Sequence, residues 1–115
     1  MAQINQAPVA SLSAVTATGA GTAVPLGASC VAIGIKTRTT GTPATVSMTL
    51  EYSADGGTTW VNSGLAAMTT VTPAFYTAAT PIPPAVTHAR LNLGTLTGGT
   101  APTVTGEIVV RSDFL

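Results

Sequence analysis

Ser53-Ala54-Asp55-Gly56-Gly57-Thr58-Thr59-Trp60 is the stretch on which the fold turns. It follows an alternating run, Val46-Ser47-Met48-Thr49-Leu50-Glu51-Tyr52, and leads into Trp60-Val61. Apolar residues at every second position are the period of a strand with one buried face. Glycine accepts positive φ without strain, so Gly56-Gly57 supplies a reversal between two strands. Asp55 is placed to accept hydrogen bonds from amides of its own loop. Trp60 carries a large apolar ring to the base of the turn, where it is expected to cover the core together with Tyr52. A catalytic or metal-binding Asp55 would need a second polar group at a fixed distance. No motif supplies one, so Ser53, Asp55, Gly57 and Trp60 are expected to build a turn.

The same period recurs on both sides of the hairpin. Val31, Ile33 and Ile35 alternate with Ala32, Gly34 and Lys36. Ala89, Leu91 and Leu93 alternate with His88, Arg90 and Asn92, and Val104, Ile108 and Val110 with Thr105, Glu107 and Arg111. Thr40-Gly41-Thr42-Pro43 and Thr97-Gly98-Gly99-Thr100-Ala101-Pro102 separate these runs as turns. Short alternating runs between Gly and Pro turns predict an antiparallel β-sandwich, jelly-roll-like, with little or no helix. The many Thr and Val residues suit a pleated sheet.

Elsewhere the pattern is weaker. Gln3-Ile4-Asn5 and Val9-Ala10-Ser11-Leu12 each support a short strand, and Gly19-Ala20-Gly21 a flexible joint. Residues 1–28 are therefore expected as an N-terminal arm or edge strands, and residues 29–115 as the sandwich. Ala66-Ala67-Met68 is compatible with a helical turn and Phe75-Tyr76-Thr77 with a strand. Pro81-Ile82-Pro83-Pro84 forbids a central strand or a helix.

Charge placement supports the sheets independently. Lys36 and Arg38 are opposite in parity to Ile33 and Ile35, Glu51 to Leu50, Arg90 to Leu91, and Glu107 and Arg111 to Ile108 and Val110. Each charge then points away from the core, as a two-layer sheet requires. Parity also permits a cross-strand pair of Arg90 with Glu107, worth about 0–1 kcal/mol if exposed.

Composition excludes several functions. The chain has 115 residues, one domain by length, with formal net charge zero and 7% charged residues, against about 25% in ordinary proteins. No Lys/Arg cluster exists to bind phosphates, so no nucleic-acid partner is expected. A polybasic hold on a membrane fails for the same reason. No apolar run approaches the roughly 18 residues of a spanning helix, and Met1–Gln6 lacks the features of a secretion signal. A surface so poor in charge suits burial against neighbouring subunits. Cys30 is the only cysteine, which rules out an internal disulfide and leaves a small, partly buried side chain.

No enzyme emerges. His88 is the only histidine, and metal ligands come in clusters. Glu51, Asp55, Glu107 and Asp113 are dispersed, whereas glycosidases set two carboxylates across a cleft. No catalytic, cofactor or metal residue is expected. Phe75-Tyr76 is the one candidate sugar platform, although adjacent strand residues face opposite ways. Ile4, Val9 and the apolar end Phe114-Leu115 are candidate partner contacts.

The order Ser-x-Asp-x-Gly-x-Thr-Trp, at Ser53, Asp55, Gly57, Thr59 and Trp60, resembles the Asp-box hairpin of sialidase-like propellers and of many bacteriophage structural proteins. The arginine cluster and tyrosine nucleophile of sialidases have no counterpart here. Ala89-Arg90-Leu91-Asn92-Leu93, Leu96-Thr97-Gly98-Gly99 and Thr103-Val104-Thr105-Gly106-Glu107-Ile108 extend the resemblance to small structural proteins of tailed bacteriophages, across residues 44–111. His88 stands near the place where those proteins often carry an aromatic. The resemblance implies a virion protein: a capsid decoration subunit, a head fibre base, or a tail or neck component. Among these a short, neutral chain looks most like a capsid decoration (cement) protein at the virion surface, bound to the major capsid protein or other virion proteins. It also implies a homo-oligomer, with a trimer expected by analogy. The rival expectation is a carbohydrate-binding adhesion module of a tail or head fibre.

Overall fold

The computed structural model describes residues 2–27, 30–78, 82–83 and 85–114. Ten strands and, among the described residues, no helix make up the chain: β1 (Ala2–Asn5), β2 (Val9–Val15), β3 (Gly19–Ala20), β4 (Val24–Pro25), β5 (Cys30–Thr40), β6 (Thr45–Ser53), β7 (Val61–Asn62), β8 (Ala74–Thr77), β9 (His88–Thr97) and β10 (Thr103–Phe114). They form two antiparallel five-stranded sheets. Sheet A runs β1-β10-β5-β8, with β2 also on β10. Sheet B runs β3-β9-β6-β7, with β4 also on β9.

The pairing is nested. β2 pairs with β10, β3 and β4 with β9, β5 with β8, and β6 with β7. Early strands pair with late ones, as in a long hairpin rolled up on itself. The first and second halves then join through β10–β5 and β9–β6. This is the jelly-roll arrangement of two Greek keys, so the expected sandwich and the observed one agree.

The core lies where the alternating residues meet. Ile33, Ile35, Val104, Ile108 and Val110 from sheet A face Val46, Met48, Leu50, Ala89, Leu91 and Leu93 from sheet B, all buried. Each of these but the small Ala89 contributes about 1.5–3 kcal/mol of transfer free energy. Gly106 of β10 makes room for the opposite sheet: a Cβ there would stand 2.4 Å from Leu91 Cδ1.

Residues from the chain's beginning are integral to this core. Leu12 is buried, as are Val24 and Leu26. Ser11 joins the sheets: its hydroxyl donates to Thr22 O at 2.8 Å and accepts from Leu91 N at 2.9 Å. Gly21 is part of that join, since a Cβ would fall 2.3 Å from Ser11 O. Gly19-Ala20 is thus a strand on β9, and not the flexible joint expected.

Other expectations are corrected. Ala66-Ala67-Met68 forms no helical turn; Met68 pairs with Met48 through backbone bonds of 2.8 and 3.0 Å. Arg90 and Glu107 lie on different sheets and do not pair. Arg90 pairs instead with Glu51 across β9–β6, and Glu107 with Arg38 across β10–β5. Alternation fixes which face a residue takes, while its partner depends on which strands meet.

Candidate functional site

Tyr52 ends the buried face of β6, and the chain then turns through the hairpin that the sequence marks out. Ser53 is buried, and its hydroxyl donates to Asp55 Oδ1 at 2.8 Å while accepting from Gly57 N at 2.9 Å. Asp55 Oδ1 also accepts from Thr58 N at 3.1 Å and Thr59 N at 2.9 Å. The Thr59 amide, and behind it the Ser53 hydroxyl, hold the carboxyl of Asp55 down to about 2. Gly57, at φ 101, takes a conformation that a side chain would strain. Ser53, Asp55 and Gly57 therefore form one closed network, directed at the loop's own amides.

Thr87 locks the loop from outside. Its amide donates to Ser53 O at 2.8 Å, and its hydroxyl accepts from Gly56 N at 3.2 Å. His88 Nδ1 lies 2.9 Å from the same hydroxyl. Thr87 was not legible as part of the hairpin, because 31 residues separate it from Gly56.

Trp60 departs from expectation. It is half-buried and absent from the core. Its Nε1 donates to Gly57 O at 3.1 Å, and the Arg90 guanidinium stacks on its ring at 4.2 Å from the centroid. Arg90 Nε in turn donates to Glu51 Oε1 at 2.8 Å, and Asn92 Nδ2 to Glu51 Oε2 at 3.4 Å. The ring therefore joins the outer face of sheet B, among polar side chains. The reason is parity: Tyr52 pairs with Val61, so the residue before Val61 takes the outward side. Tyr52 is in the core as expected.

The outer face of sheet A differs in kind. Phe75 and Tyr76 point opposite ways, as expected of adjacent strand residues. Tyr76 packs on the core and donates to Thr70 Oγ1 at 2.7 Å. Phe75 is 81% exposed and lies opposite Lys36. Together they make no platform.

Of the candidate partner contacts, Val9 is exposed at the edge strand β2. Ile4 and Phe114 lie in paired strands, with Ile4 opposite Ser112 and Phe114 opposite Ala2. Leu115 lies outside the described residues. Cys30 is half-buried, and burial pushes its thiol up in pKa. Among the described residues, no group of three or more His, Cys, Asp or Glu could hold a metal ion. Among the described residues no helix is long and apolar enough to cross a membrane, which says nothing of a β-barrel.

No protein-family model matches the chain, and no curated protein matches it in sequence. In structure it is similar to the SPBc2 prophage-derived protein YomS, whose crystal structure superimposes with a TM-score of 0.66. The match covers 97% of this chain and 96% of that one at 10% identity. It establishes the fold from end to end.

Proposed function

We propose that the chain is a non-enzymatic structural protein of a bacteriophage virion, a capsid decoration protein that binds the head surface and stabilises it. The observation that carries this is the end-to-end likeness to a protein of prophage origin, which spans 97% of this chain and 96% of that one. Fold alone does not assign function, but other features lean the same way. The hairpin spends its polar groups on itself. Glu51 is committed to Arg90, and Asp55 to its own turn. Neither is left as an acid or base.

The partner on this proposal is the major capsid protein or another virion protein. Nucleic acid and membrane are not partners on this proposal, because the chain has only four Lys and Arg residues, of which Arg38 and Arg90 face glutamates, too few for a cationic stripe.

The test is co-sedimentation of the purified chain with empty heads and with intact virions of the phage concerned. Saturable binding to heads, with density for the chain on their outer surface, is the expected result. A chain that binds neither particle overturns the proposal.

A second reading has one observation in its favour. Trp60 stands on the outer face of sheet B with Glu51, Arg90 and Asn92 around it. An aromatic ring beside fixed polar groups is how proteins hold sugars. An adhesion module would bind a glycan array through Trp60 and ignore capsids.

A further inference from the structure

Among the described residues, β8, Ala74-Phe75-Tyr76-Thr77, is an edge strand of sheet A that pairs only with β5. Its hydrogen-bonding sides follow from the ladder. Ala78 donates its amide to Ile33 O at 2.9 Å, and Tyr76 lies opposite Ile35. Backbone groups alternate in direction along a strand, so Ala74, Tyr76 and Ala78 direct theirs towards β5. Phe75 and Thr77 direct N–H and C=O the other way, along the open edge. Proteins commonly blunt such an edge with a charge, a proline or a bulge. β8 contains none of these.

The side chains on this edge are matched to one another. Phe75 and Thr77 share the outer face and are both exposed. Next to Thr77 on that face is a hollow of about 140 Å³ over Gly34, walled by Thr77, Val109, Ala32 and Arg111. Gly34 keeps it open, since the nearest side-chain atom to a Cβ placed there is Val109 Cβ at 4.0 Å. One short strand therefore carries a projecting ring and, two residues on, borders a hollow.

We propose that β8 pairs antiparallel with β8 of a second copy of this chain, about a two-fold axis at Tyr76. Phe75 of each copy then lies opposite the partner subunit's Thr77, at the rim of the hollow over the partner subunit's Gly34. A two-fold contact must fit itself, and a ring and a hollow on either side of the axis do so. With Tyr76 opposite its own copy, Phe75 and Thr77 become hydrogen-bonded pairs, and the outward N–H and C=O groups of β8 are all satisfied. The hollow begins one strand spacing, about 4.8 Å, from the incoming strand. Lys36 and Arg38 are the charges on the adjoining strand β5. The two copies of Lys36 end about three strand spacings apart, or roughly 14 Å. That exceeds the Debye length of about 8 Å in physiological salt, so like charges do not oppose the contact. The dimer needs no capsid, so it stands or fails apart from the virion proposal.

Sedimentation equilibrium of the purified chain tests it. The mass should rise with concentration towards that of two chains. Phe75→Ala takes the ring away from the hollow and should raise the dissociation constant roughly thirtyfold or more, the scale for loss of a central aromatic anchor. Its thermal midpoint at high dilution should match the wild type, because Phe75 is exposed in the single chain. Amide hydrogen exchange on the wild type gives a second readout. Phe75 and Thr77 should exchange more slowly as concentration rises, while Tyr76, bonded within the sheet, should not change. A chain that stays single at about 1 mM, an assembly that Phe75→Ala does not loosen, or exchange at Phe75 and Thr77 that ignores concentration overturns the proposal.

Discussion

The Arg90 guanidinium lies 4.2 Å from the centroid of the Trp60 ring, on the outside of the sandwich. The ring is a lid on an ion pair, since Arg90 also holds Glu51 at 2.8 Å. A half-exposed ring contributes less than a core one. Trp60→Ala should cost about 1–2 kcal/mol, a cation–π contact and partial burial, and not the 3–5 kcal/mol of a buried tryptophan. Urea denaturation of the two chains measures the difference.

Asp55 gives a pH signature. Its carboxyl sits at about 2 in the fold against an ordinary 3.8. A depressed folded pKa means stability that is fully present above the unfolded value and lost as pH falls through the folded one. The urea midpoint of the wild type should therefore fall between about pH 4 and pH 2. Asp55→Asn should remove part of that slope, because an amide does not titrate. Asp55→Ala should lower the midpoint at neutral pH, since the Thr58 and Thr59 amides lose their acceptor.

Ser11→Ala should destabilise the fold by about 1–3 kcal/mol. The Leu91 amide would be left buried without an acceptor, and the stitch between the sheets would be lost. Differential scanning calorimetry would register it as a lower thermal midpoint.

Thr37→Val should act in the opposite direction. The Thr37 hydroxyl is buried and has no hydrogen-bond partner among the described residues. Valine keeps the shape and removes the orphan group, which should stabilise by about 1 kcal/mol. An unchanged or lowered urea midpoint would count against it.

Refolding should be slow for the chain's length. Val15 pairs with Val104, so long loops must close before the pairing of β2 with β10 contributes. Stopped-flow dilution from urea should give times of about milliseconds to seconds, the range of all-β domains dominated by distant contacts.

The sequence carried the sheets well because burial on one face imposes a local period. Ile33 and Ile35, Met48 and Leu50, and Leu91 and Leu93 are all in the core. The hairpin was legible too, since the side chains of Ser53 and Asp55 bond within their own turn. What escaped was set by distant partners. Ser11 meets Leu91 from 80 residues away, and Thr87 clamps a loop 31 residues before it. Trp60 was misplaced because a loop of several residues erases parity, and only the Tyr52–Val61 pair restores it.

The nested pairing bears on how the chain is made. β10, the last strand to leave a ribosome, is the member of sheet A that joins β1 and β2 to β5. Until it emerges, β2 has no strand in that sheet to lie beside, and Leu12 has no finished core to enter. Vectorial, front-to-back folding, which larger proteins use during synthesis, is closed to this topology. Sheet A cannot be completed before β10 is available, so its earliest strands wait on its latest.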